Sequence, residues 1–264
     1  METIATDVLA TMRRRASCRR FTDQDVPPGL LDEIINAGLR APTSFSLQPY
    51  ALIVVREQRR RAALARVANG QAHVESAPVF VVVCVDLPRV ERLTGLHGQL
   101  GRGRHDDALL NSVIDASLVG MCLSLAADSL GLGSVMVGAI RNDARRVSQI
   151  LRLPDGVYPL FGVCLGWPAR PVAAQPRQGG PALVHHERYH PPDVGVEAGL
   201  SLPDGTPAGS ADVDHWRRQV RSGGQKLRSS RPVPWHPDNL APLPSDDGDH
   251  DVPHHRSTGH HAVH

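Results

Sequence analysis

Residues 1 to about 192 alternate stretches of helical apolar spacing with short extended runs, and turn signals separate them. Ile4 to Met12 spaces its apolar residues as an amphipathic helix does. Asp25-Val-Pro-Pro opens a second helix over Gly29–Leu39, with proline in the first turn, where its missing N–H costs nothing. Its stripe of Leu30, Leu31, Ile34, Ile35 and Leu39 is predicted to face the core. Ala51–Val55 reads as a strand and Glu57–Val67 as a polar helix. Val79–Val85 is a continuous run dominated by valine, the mark of a strand covered on both faces. A long helix over Asp107–Leu130 is apolar nearly all round and ends at Gly131 and Gly133. Short strands near Val135 and over Leu160–Leu165 flank a helix around Asn142–Leu151. This order predicts a central sheet with helices on both faces. It is not a dinucleotide-binding βαβ unit, which needs GxGxxG between a strand and a helix. Gly101-Arg-Gly-Arg follows no strand and lacks the third glycine.

Beyond residue 192 proline, glycine, aspartate and histidine take over, and the stretch 200–212 has little to bury. The chain therefore divides into a folded part, 1–192, an extension, 193–239, and a tail, 240–264, predicted to be disordered. Six histidines between His250 and His264 could bind Zn²⁺, Ni²⁺ or Cu²⁺, but biased composition is the favoured reading and no fixed metal site follows.

Charge and cysteine usage narrow the function classes. The net charge is +2, and Lys226 is the only lysine, so nothing resembles a polyanion-binding surface. Arg13, Arg14, Arg15, Arg19 and Arg20 cluster, yet they end an apolar helix and lack the aromatic neighbours of a nucleic-acid arm. The N-terminus has no apolar core of a secretory signal. Asp115 and Asp128 interrupt the longest apolar stretch, Ser112–Leu132, which reads as a buried helix rather than a membrane span. Cys18, Cys84, Cys122 and Cys164 form no CxxC pair and suit buried thiols in a reducing cytoplasm.

Three segments carry candidate chemistry. Arg15-Ala-Ser-Cys-Arg-Arg-Phe21 places guanidinium groups and a hydroxyl just after a helix, which suits a phosphate. A solvated basic helix end, complementing the helix dipole, is the slightly favoured reading from these residues alone. Ala41-Pro-Thr-Ser-Phe-Ser-Leu-Gln-Pro49 either offers hydrogen bonds to a flat heterocycle or is a polar turn. Leu130-Gly-Leu-Gly-Ser-Val-Met-Val-Gly-Ala139 runs from a helix end into a strand, and Gly138 permits close approach by a ligand or by a neighbouring helix.

Taken in order, these segments resemble the oxygen-insensitive nitroreductase and NADPH:flavin oxidoreductase branch of the nitroreductase superfamily. Asn69–Asp86 (NGQAHVESAPVFVVVCVD), Ser129–Asp143 (SLGLGSVMVGAIRND) and Tyr158–Pro168 (YPLFGVCLGWP) add to the likeness. The resemblance implies an α+β fold with a mainly antiparallel sheet flanked by helices. It also implies an obligate homodimer, with one FMN per subunit at the interface and much of that interface formed by the long helix. By position, Arg15, Ala16, Ser17 and Arg19 would hold the flavin phosphate and its surroundings, and Arg177 would return to it. Thr43, Ser44 and Ser46 would lie beside the ring, with Gln71 at its polar edge. Val137, Gly138 and Ala139 would offer backbone contacts. Gln175, also assigned to the cofactor site, stands where the family carries a lysine, and Arg15 stands where close relatives often carry histidine. The segment that would grip the NADPH 2′-phosphate is divergent here, with Arg217, Arg218 and Arg221 as its candidate cations. The implied activity is ping-pong electron transfer from NADPH, or NADH, to a small-molecule quinone, nitroaromatic or flavin acceptor, with no side chain acting as acid, base or nucleophile. Alternatives are a dedicated biosynthetic flavin oxidase or dehydrogenase, and a non-catalytic flavin or metal carrier.

Overall fold

The structure, a computed structural model, describes residues 7–95, 102–178, 183–191 and 200–229. The expected helix start at Ile4, part of the extension and the histidine-rich tail lie outside the described residues. Four strands form the main sheet: β1 (Tyr50–Val55), β2 (Val79–Asp86), β3 (Gly133–Val137) and β4 (Val157–Gly166). Their order is β1-β2-β4-β3 and every pairing is antiparallel. The valine run of β2 explains the layering, because successive side chains of a strand point to opposite faces. Val79, Val81 and Val83 enter a core with Leu31, Ile34, Val119 and Leu123. Phe80, Val82 and Cys84 enter a second core with Leu64, Val74, Ile140 and Val147.

The helices that supply those partners are α1 (Asp7–Arg14), α2 (Pro28–Gly38), α3 (Gln58–Val67), α4 (Ala72–Ser76), α5 (Leu87–Thr94), α6 (Arg102–Ser129) and α7 (Ala144–Leu151). Residues of α2 and α6 pack on one face of the sheet, and those of α3, α4 and α7 on the other. The fold class is α+β, as the resemblance implied. Gly120 lets α6 lie against β4, since a Cβ there would stand 2.4 Å from Cζ of Phe161. Helix α6 is long and apolar enough over Asp106–Ser129 to pass for a membrane span. Ala116, Val119, Leu123 and Ala127 nevertheless pack into the core, and both of its interrupting carboxylates bond within the protein.

The outer face of α6 has no such cover. Leu110, Ile114 and Leu118 recur every fourth residue and are 59%, 46% and 37% exposed. On α1, Val8, Leu9 and Met12 are exposed as well, so its apolar spacing finds no core among the described residues.

Strand β4 is longer than the sequence predicted because Pro159 lies inside it. Val83 pairs with Phe161 and Cys84 with Pro159, which leaves Leu160 as the extra residue of a bulge. A proline has no ladder donor, and a bulge is where a strand tolerates one. Beyond the main sheet, β5 (Arg177–Gln178) pairs with β6 (Leu200–Ser201), and a helix α8 (Ser210–Ser229) follows. Leu200, in the extension, is 4% exposed.

Candidate functional site

After α1 the chain runs along the free edge of β3. Ser17 forms a parallel bridge to Ser134, and the Cys18 N–H donates to the Ser134 carbonyl at 2.8 Å. Further on, the Thr22 N–H donates to Trp167 at 2.9 Å and the Ala169 N–H to Arg20 at 3.0 Å. These bonds fix the backbone and leave the side chains of Arg15, Ser17 and Arg19 to act outward. Among the described residues no carboxylate stands at ion-pairing distance from Arg15, Arg19 or Arg177.

Asp128, near the end of α6, lies behind this segment. Its Oδ1 accepts from the Ser134 hydroxyl at 3.2 Å, and that hydroxyl also bonds Ser124 at 2.6 Å. Its Oδ2 is buried and has no partner among the described residues. Burial pushes its pKa up to about 6, against the pull of the Ser134 bond and the charges of Arg15 and Arg14. Arg19 reaches the opposite neighbour: burial first, then the Arg19 charge, holds His73 of α4 below the ordinary histidine value. Gln71 directly precedes α4, and its side chain does not cap that helix. Val137 ends β3, and Gly138 begins a 3₁₀ turn, Gly138–Asp143. The structure thus sets Ser17 and Cys18 on β3, which leads into Gly138–Ala139, and brings Arg19 within electrostatic range of α4, which follows Gln71.

Gln175 and Arg177 are exposed, and Arg177 belongs to β5. A cleft of about 630 Å³ lined by Arg13, Arg14, Val172 and Ala174 shows that the chain leading to Gln175 returns to the end of α1.

Thr43, Ser44 and Ser46 stand in a different setting. Thr43 donates its hydroxyl proton to Oδ2 of Asp115 at 2.6 Å, and the Ser44 N–H donates to the same oxygen at 3.0 Å. The Ser44 hydroxyl donates to Oδ1 at 3.2 Å. Asp115 is 1% exposed on α6, so this carboxylate is buried with three donors. Phe45, Ser46 and Gln48 adopt positive φ of 52°, 56° and 48°, and the Gln48 N–H donates to Thr43 Oγ1 at 2.9 Å. Left-handed backbone at residues other than glycine is costly, and the Asp115 bonds hold it. Both hydroxyl protons are spent, so what the loop presents outward is the fully turned-out Phe45, 90% exposed, together with Ser46. Sequence reading singled out the hydroxyls and missed Asp115, which it used only as an argument against a membrane span.

Another cleft, of about 720 Å³, lies between Asp25, Arg56, Arg61 and Glu75. Its donors are spent: Arg56 pairs with Asp25 at 2.7 Å, and Arg61 donates to the carbonyls of Arg56, Glu75 and Pro78. It is a polar seam joining α3 to β2.

The donor set at β3 suits an anion with several oxygens. Arg15 and Arg19 bring guanidinium forks without a competing carboxylate, and Ser17 adds a neutral hydroxyl. Asp128 feels the charge of Arg15 and Arg14 without an ion pair to either among the described residues. Arg15, Ser17 and Arg19 fit a flavin phosphate, while Gln71 and the Val137–Ala139 backbone fit the polar edge of a flat ring.

A model of the nitroreductase family matches residues 12–167. The chain is 38% identical over 177 residues to the oxygen-insensitive NADPH nitroreductase of Salmonella typhimurium, covering 67% of this chain and 72% of that one. It is 34% identical over 187 residues to the FMN reductase [NAD(P)H] of Bacillus subtilis, covering 69% and 74%. Among solved structures, the NADPH:FMN oxidoreductase from Vibrio harveyi complexed with NAD⁺ aligns with a TM-score of 0.67 at 27% identity, covering 86% and 93%. Nitroreductase A from Vibrio parahaemolyticus aligns with a TM-score of 0.65 at 28% identity, covering 84% and 86%. The chain belongs to the nitroreductase family.

Proposed function

We propose that this chain is an FMN-dependent oxidoreductase that passes electrons from NAD(P)H, with NADPH favoured, to quinone, nitroaromatic or flavin acceptors. The observation that carries the reading is the anchoring of Ser17 and Cys18 on Ser134 of β3, which sets Arg15 and Arg19, without a carboxylate partner among the described residues, beside the strand that ends at Val137. Relatives whose names specify FMN and NADPH support it. Bound FMN supplies a two-electron centre that exchanges hydride with a nicotinamide.

The residues of the chain bind and orient. Arg15, Ala16, Ser17, Arg19 and Arg177 hold the phosphate, with Gln175 beside them as a neutral partner. Gln71 and the Val137–Ala139 backbone meet the polar edge of the ring. Thr43 and Ser44, fixed by Asp115, set the loop that carries Phe45 and Ser46 beside the ring. No acid, base or nucleophile is required of the protein.

The working form is a homodimer with the flavin between subunits. The exposed stripe Leu110, Ile114 and Leu118 on α6 supports this, since an apolar face of that kind is stable only when covered. The protein acts in the cytoplasm on a small-molecule acceptor. The division into an FMN-binding part, 1–192, an extension, 193–239, and a tail, 240–264, remains our reading of its organisation.

The test is the visible spectrum of the purified protein, followed by anaerobic NADPH and then NADH. A flavin spectrum bleached by NADPH and restored by a quinone is the expected result. Flavin that neither nucleotide bleaches would overturn the donor, and a protein that takes up no FMN on reconstitution would overturn the whole reading.

A further inference from the structure

Arg141 has no part in the reading above, yet its surroundings single it out. It lies in the turn Gly138–Asp143 that continues β3. Its Nη1 donates to the Leu160 carbonyl at 2.5 Å. Leu160 is the extra residue of the β4 bulge, with no register partner in β2, and its carbonyl accepts this bond. The same guanidinium covers Gly138. A Cβ built there would stand 3.1 Å from Nη2, 3.4 Å from Nη1 and 3.6 Å from Cζ. Gly138 is therefore a glycine for the sake of Arg141 as much as for any ligand.

The charge is not neutralised within the protein. Among the described residues no carboxylate acts on Arg141, and burial alone holds its pKa below the ordinary arginine value. That value starts so high that the group stays protonated near neutral pH. A half-buried cation thus rests on the strand end that the flavin reading assigns to the ring.

We infer that Arg141 is a positioning residue for electron transfer: it clasps the Val137–Ala139 backbone to the β4 bulge and sets a positive charge behind it that favours the anionic, reduced form of a flavin. The inference rests on the FMN reading above. Hydride carries two electrons and one proton from the reduced nicotinamide, which leaves as its oxidised cation. The neutral oxidised ring that accepts the hydride becomes an anion, and a fixed cation stabilises that product more than its precursor.

The measurement is the two-electron midpoint potential of bound FMN, with the dissociation constant of oxidised FMN measured alongside. Arg141→Gln is expected to lower the ratio of reduced to oxidised flavin affinity about tenfold, which is a potential about 30 mV lower. Arg141→Lys keeps the charge and should recover most of that loss. An Arg141→Gln protein that folds, binds FMN and keeps the wild-type potential overturns the inference. If Arg141→Gln fails to fold, Arg141→Met, which keeps an unbranched apolar stem without the charge, decides, and an unchanged potential there overturns the inference equally. A wild-type protein without FMN sinks the parent reading, whereas loaded variants with unchanged potentials sink this inference alone.

Discussion

Asp115 shows how much one buried carboxylate can organise. Alanine in its place would leave the Thr43 hydroxyl, the Ser44 hydroxyl and the Ser44 N–H without their acceptor. An unmade buried hydrogen bond costs about 1–3 kcal/mol, so Asp115→Ala should lose about 2–4 kcal/mol in urea unfolding. Asparagine can keep the geometry, with its oxygen in the place of Oδ2 and its amide donating to the Ser44 hydroxyl, and should lose less than about 1 kcal/mol. Equal losses in the two variants would refute this account of the loop. Asp128 makes the contrasting case. Its folded pKa near 6 lies above the ordinary carboxylate value of 3.8, so the folded state binds this proton more tightly. The cost of ionising it is absent below about pH 4 and complete above about pH 7. Asp128→Asn should therefore stabilise the flavin-free protein by about 1 kcal/mol at pH 7.5, discounted for partial exposure, and by nothing at pH 4. A melting-temperature gain that is the same at both pH values would contradict the assignment. At this scale the sequence could single out Arg15, Ser17 and Arg19 as candidates because they lie within one short segment. It did not disclose the tie between Asp115 and Thr43, whose partners are 72 residues apart.

The elements found from periodicity are those long enough to show it. Helices α2, α3 and α7 and strand β2 fall within a few residues of their expected spans, because each has one or two faces that must be buried. Helix α4 has five residues, too few for a helical period to emerge from the surrounding sequence. Helix α5 was missed despite a proline in its first turn and the Asp86 side chain accepting from the Arg89 N–H at 2.9 Å. Those start signals precede only eight residues, and the pattern of a strand runs directly into them. The α6 pattern, apolar almost all round, was legible and has two explanations on its two sides: the sheet covers one, and the dimer reading supplies the other. Ile114→Glu, on the uncovered side, should convert dimers to folded monomers in light-scattering chromatography, with little change in far-UV circular dichroism. Dimers that persist in this variant would place the interface elsewhere.

For the whole molecule, the proposed phosphate site includes a neutral residue, Gln175, which is exposed and close in sequence to the Arg177 of β5. Gln175→Lys should tighten FMN binding about tenfold to a hundredfold, since a hydrogen bond to a charged group is worth about 1.5–3 kcal/mol. Fluorescence titration of the flavin measures this, and an unchanged constant would mean that Arg15 already supplies the missing charge. The fold class and the order of segments were legible because local patterns set them. The bulge at Leu160 and its clasp by Arg141 were not, because they depend on how distant strands meet. The Asp115 tie also has a meaning for descent. An ancestral loss of this carboxylate would free positions 43 and 44 from any need for a hydroxyl, and a lineage without those hydroxyls would gain nothing by keeping an acid inside an apolar helix. The three positions should therefore have been inherited as a unit, changing together or not at all, however variable the loop between them becomes.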